Sequence, residues 1–111
     1  MTLIAPDLLA AEIGNIVWKK VRLQGLAKAD AEKIIAAFRE LEILLIPSDE
    51  LLEKAFQIAM AHERTVYDSL YIALSEREHC AFVTADERLV NAVNKSFPTI
   101  VWVANFRIPN A

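Results

Sequence analysis

Apolar and polar positions along this chain follow two different periods. In APDLLAAEIGNIVWKKVRLQG, residues 5–25, projection at about 100° per residue gathers Leu9, Ile13, Ile16, Val17 and Val21 on one face, which predicts an amphipathic helix. Pro6 suits its first position, Asp7 the positive end of its macrodipole and Gly25 its stop. Trp18 falls on the opposite side, and Glu12 lies at the edge of the apolar face, between Leu8 and Ile16. AKADAEKIIAAFRELE predicts a second helix, apolar through Ile34, Ile35 and Phe38. The uniformly apolar run Ile43 to Ile46 is too short for a surface helix and predicts a buried strand.

Ser48 can cap a third helix through LLEKAFQIAMAHE, with Asp49 and Glu50 in its first turn. A fourth follows in TVYDSLYIALSE, with Tyr67, Leu70, Tyr71 and Leu74 as its apolar stripe. CAFVTAD predicts a short buried strand, ERLVNAVNKSF a helix, and TIVWVANF a closing strand rich in β-branched and aromatic residues. Strands alternate with helices and no hairpin signal joins them. This predicts an α/β layered fold with a mainly parallel sheet, in which chemistry gathers at the carboxyl ends of the strands.

Length and composition narrow the class. A chain of 111 residues predicts a single domain spanning residues 1–111, and 55% hydrophobic residues with only 2 Gly and 4 Pro describe a compact fold without linkers. The lone cysteine, Cys80, has no partner for an internal disulfide and no zinc-ligand spacing around it, which favours a reducing, cytoplasmic setting. No run approaches the roughly 20 apolar residues of a bilayer span, so no membrane association is expected. With 15 acidic against 12 basic residues the net charge is −3, so contact with a polyphosphate requires a local basic patch or bound cations.

Three carboxylates stand out, each with a structural explanation beside the chemical one. Asp86 follows a predicted strand at its carboxyl end, but it also precedes a helix it can cap. Asp68 fits a capping box with Thr65, and it also borders the apolar stripe of its helix, where a carboxylate needs a partner. Glu12 is in mid-helix with no cap to serve; a paired surface position explains it, with Lys19 on the same side. Asn15 shares its side and can orient that carboxylate or bind a substrate hydroxyl. Taken together, the three acids suit a hard divalent cation, which a few converging carboxylates and water can hold.

Other side chains add less. His62 and His79 lie near predicted helix ends, where a surface histidine favourable to the dipole accounts for them. Cys80 enters an apolar strand as a core residue, and Lys19, Lys20 and Arg22 read as a solvated helix face or a modest RNA-facing patch.

The three segments APDLLAAEIGNIVWKK, TVYDSLYIALSE and AFVTADERLVNAV, in that order and at these separations, resemble the PIN-domain family, in particular its VapC-type toxins. The resemblance implies a PIN-like α/β/α sandwich and a metal-dependent endoribonuclease in which acidic residues bind Mg²⁺ or Mn²⁺ to cut RNA. Residue by residue it assigns Glu12, Asp68 and Asp86 as catalytic metal ligands and Asn15 and Thr84 as supporting residues, with the tyrosines of the fourth helix buried behind Asp68. It further implies a small antitoxin partner and a homodimer. One departure stands against this: the family's opening strand, central in its sheet and ending in an aspartate, has no counterpart ahead of the PDLL helix, so the sheet is expected to be incomplete at the N-terminus. That departure leaves two other readings: a PIN-like interaction protein without catalysis, or a shortened form of a longer nuclease.

Overall fold

The computed structural model describes residues 2–107. They divide into two compact units, one ending at Ser48 and the other beginning at Asp49.

The first unit is a β-α-α-β arrangement: β1 (Leu3–Pro6), α1 (Leu8–Gln24), α2 (Lys28–Glu40) and β2 (Ile43–Ile46). β1 and β2 pair in parallel, from Leu3 opposite Ile43 to Pro6 opposite Ile46. Parallel neighbours need a long crossover, and the two helices supply it. α1 ends where Gly25 adopts a φ of 74°, a conformation open to glycine without a Cβ penalty, and the Leu26 amide turns back onto the Lys20 carbonyl.

Several expectations for this unit need correction. Pro6 is the last residue of β1 and not the first of the helix, a position that costs nothing at a strand end where no ladder donor is needed. The strand itself, ahead of α1, escapes a reading based on hydrophobic period because it is only four residues long. Asp7 occupies the N-cap position but makes no side-chain cap bond; its carboxylate accepts from both the backbone amide and the hydroxyl of Ser48. Its own amide donates to the Ile46 carbonyl at 2.8 Å, so one residue ties the carboxyl ends of β1 and β2 together. β2 is where the sequence places it, yet it is not buried: Leu44 is 57% and Leu45 37% exposed. On α1, Val17 is buried as expected while Ile16 is 51% exposed, and Trp18 is exposed on its own side.

A single 3-10 turn, Ser48–Leu51, stands in place of a Ser48-capped helix and leads into the second unit. That unit continues through α3 (Leu52–His62), α4 (Val66–Glu78), β3 (Phe82–Thr84), α5 (Glu87–Val93) and β4 (Ile100–Trp102). β3 and β4 are parallel, with Phe82, Val83 and Thr84 opposite Ile100, Val101 and Trp102, and α5 is the crossover between them. Ala55, Ile58 and Ala59 of α3 are buried, as are Leu70, Ile72, Ala73 and Leu74 of α4; the alanines let the two helix axes approach closely. Leu89, Val93, Phe97 and Ile100 complete the core from the α5 and β4 side.

Two polar or aromatic contacts fix where β3 begins. The buried Ser75 hydroxyl bonds the Cys80 carbonyl at 2.5 Å and the Thr99 hydroxyl at 2.9 Å, joining the entrances to β3 and β4. Tyr71 stacks on Phe82 with ring centroids 5.3 Å apart. β3 itself is half-buried, not fully buried. The mixed α/β architecture with parallel pairing is the one that the PIN-like α/β/α resemblance implies. Among the described residues the strands form two two-stranded sheets.

Candidate functional site

The residues nominated by the sequence lie in both units. In the first unit Glu12 lies midway along α1, half-buried and engaged, and Asn15 is exposed three residues on. Asp7 is a further carboxylate in the turn between β1 and α1, but it serves the Ser48 link, whose hydroxyl holds it below the usual carboxylate range.

In the second unit the geometry is more explicit. Thr65 caps α4: its hydroxyl accepts from the Asp68 amide at 3.0 Å, as a capping box requires. This places Asp68 in the first turn of α4, half-buried. Asp86 is the N-cap of α5, its Oδ1 accepting from the Leu89 amide at 3.1 Å. Thr84, at the carboxyl end of β3, turns its hydroxyl to accept from the Asp86 amide at 3.0 Å. Asp86 thus caps α5 through its carboxylate, whereas Asp68 is held at the start of α4 through its amide, and neither bond takes up the whole side chain.

Asp86 acts electrostatically on Asp68. Burial raises the Asp68 carboxyl above its ordinary value, and the negative charge of Asp86 raises it further; the Thr65 hydroxyl and the positive charge of Arg64 act in the opposite sense with less effect. A desolvated carboxylate beside a like charge is costly to ionise unless a cation joins it. Among the described residues no group of three or more His, Cys, Asp or Glu is placed to hold a metal ion. Magnesium nonetheless binds through as few as one or two carboxylates, with water and substrate phosphate oxygens completing its shell. Both side chains offer only hard oxygen donors, the type that suits a hard divalent cation and not a soft-ligand metal.

One expectation about the surroundings fails. Tyr67 does not support Asp68 from within the core; it is 63% exposed. α4 buries Ser69, Leu70, Ile72, Ala73, Leu74 and Ser75, nearly its full circumference over two turns, so no single stripe describes it. The small Ala73, Ser69 and Ser75 make that all-round burial possible, and a stripe drawn through the largest side chains misses it. Arg64, whose positive charge acts on Asp68, is not singled out by the sequence.

Comparison with known proteins places the chain in a family. The model of the PIN domain matches residues 2–95. Ribonuclease VapC3 of Pyrobaculum aerophilum is 34% identical over 86% of this chain and 71% of its own length. VapC ribonuclease Mb0985 of Mycobacterium bovis and Ribonuclease VapC9 of Mycobacterium tuberculosis are each 30% identical over 86% of this chain and 74% of theirs. The match extends through α1, α4 and the β3–α5 turn that carries Asp86, and the chain belongs to the PIN-domain family, in its VapC type.

Proposed function

We propose that this PIN domain is a VapC-class endoribonuclease that cuts RNA phosphodiesters with Mg²⁺ or Mn²⁺ held by Glu12, Asp68 and Asp86. The observation that carries the reading is the Asp68–Asp86 pair, two carboxylates from different elements whose mutual repulsion a cation would relieve. When bound, such a cation supplies a water of lowered pKa and neutralises charge on the phosphodiester.

The chain's own residues do the remaining work. Leu89 engages Oδ1 of Asp86, which fixes the carboxylate's direction and leaves Oδ2 for a ligand. Thr84 orients the same residue from the backbone side. Asn15 acts beside Glu12 on α1 to orient the third carboxylate or a ribose hydroxyl. The decisive experiment is incubation of purified protein with single-stranded RNA and Mn²⁺ beside Asp68→Asn and Asp86→Asn. Cleavage by the wild type with at least a hundredfold loss in each variant is expected; equal cleavage by all three rejects the reading.

Partners follow from the same class. RNA is the substrate, a small antitoxin is the inhibitor, and the working form is a cytoplasmic homodimer. Among the described residues no helix is long and apolar enough to cross a membrane. Exposed Leu3, Leu44 and Leu45 on the β1–β2 pair support association, as does the groove of about 470 Å³ between α1 and α2 that Trp18 flanks. The same surfaces favour the second reading, a PIN-like interaction protein without catalysis. Light scattering at micromolar concentration is expected to give twice the 12.5 kDa chain mass, and a stable monomer counts against the homodimer.

A further inference from the structure

We infer that two copies of this chain pair through α1, the Trp18 indole of each seated over Gly14 in the groove between α1 and α2 of the other. This names a surface for the homodimer read above and does not depend on catalysis. Gly14 carries the first argument. It lies inside α1, where glycine weakens a helix relative to alanine, and its backbone needs no left-handed conformation, since Gly25 is the glycine with a positive φ. A Cβ built at Gly14 meets no atom of the chain within 4 Å. Neither backbone geometry nor packing within the chain accounts for the missing side chain. Close approach of a group from outside does.

Trp18 carries the second argument. It stands one turn further along α1, about 40° around the helix and about 6 Å along its axis from Gly14, and borders the same groove. Its indole is 57% exposed and forms no hydrogen bond or ring contact among the described residues. The groove, about 470 Å³, is apolar where Val17, Val21, Ala31 and Ile35 line it beside Gly14. Ala10 and Ala11, exposed one turn before Gly14, keep that face low. A large apolar knob and an apolar hole thus share one face of one helix. That is the condition for an isologous contact, in which a two-fold axis brings the knob of each copy to the hole of the other.

Reciprocity fixes the direction. Gly14 and Trp18 are four residues apart, so both contacts form at once only when the two α1 helices run antiparallel about an axis level with position 16. Antiparallel docking also sets the half of α1 that carries Lys19, Lys20 and Arg22 beside the half of its copy that follows Asp7 and carries Glu12, whereas parallel docking sets like charges together. A single exposed aromatic is the competing account, since isolated apolar side chains are common on protein surfaces.

A size-exchange experiment on the full chain separates the two. Dimer dissociation constants are measured by sedimentation equilibrium for wild type, Trp18→Ala, Gly14→Leu and an equimolar mixture of the two variants, with native mass spectrometry to identify the mixed dimer. Because Trp18 is exposed and the space at Gly14 is open, both variants keep the monomer fold. Each alone is expected to dimerise at least about a hundredfold more weakly than wild type, since two buried anchors are lost or two holes are filled. In the mixture one native contact returns, and at the other the introduced alanine faces the introduced leucine. The mixed dimer should therefore be at least about tenfold tighter than either variant with itself. Variants that weaken dimerisation without rescue in the mixture overturn the pairing. A wild-type dimer that both variants leave intact also overturns it, while the homodimer then stands on another face. A wild-type monomer overturns the pairing and the homodimer together, and RNA cleavage enters none of these outcomes.

Discussion

Asp86, at the N-cap of α5, bears with its negative charge on Asp68 in the first turn of α4, and that charge together with burial raises the Asp68 carboxyl above its ordinary value. The pair is thus a place where the metal-free protein gives up stability, a common mark of a functional site.

Neutralising one member should stabilise the metal-free chain. Asp68→Asn in EDTA at pH 7 is expected to melt about 2–5 °C higher than wild type. The sign follows from linkage: a carboxyl whose folded pKa is raised binds its proton more tightly in the native state, so stability is fully present below the ordinary carboxylate pKa and is lost as pH rises through the raised value. Thermal melts at low pH should therefore bring the two proteins together, and a gap that persists below that range would refute the assignment.

Metal should reverse the order. At a hundredfold excess over its dissociation constant, Mn²⁺ stabilises a binding-competent fold by about 2.7 kcal/mol. A melting shift is expected for wild type and none for the Asp68→Asn, Asp86→Asn double variant, measured by differential scanning fluorimetry with and without Mn²⁺.

Ser69, next to Asp68, has a fully buried hydroxyl with no hydrogen-bond partner among the described residues. A buried unsatisfied group costs about 1–3 kcal/mol, and alanine is also the better helix former. Ser69→Ala should gain about 1 kcal/mol in urea unfolding; a loss would mean that the hydroxyl has a partner in solution.

The Asp7–Ser48 link is testable without reference to catalysis. NMR titration of Ser48→Ala should show the Asp7 carboxyl rising toward its ordinary value, since the Ser48 hydroxyl is the main cause of its depression. In wild type this link contributes to stability above the ordinary carboxylate pKa and is lost as pH falls through the depressed one.

Packing differs sharply between the apolar side chains. Ile72 is completely buried, and Ile72→Ala should cost about 2–5 kcal/mol. Leu44→Ala, on the exposed strand β2, should cost less than about 1 kcal/mol in the same chemical denaturation series.

Much of this was legible in the residues themselves. The amphipathic period of α1, the span of β2, the Thr65–Asp68 box, the Asp86 cap and the stop at Gly25 all depend on local sequence, because caps, turns and periodicity act over a few neighbouring positions. The order of the acids along the chain also carried the PIN resemblance. Strand β1, the recruitment of Ser48 by Asp7, the exposure of Leu44 and Tyr67, the all-round burial of α4 and the repulsion between Asp68 and Asp86 were decided by tertiary structure. Each depends on groups far apart in the chain, and neither hydrophobic period nor capping rules say which face a neighbour will cover or which charges will meet.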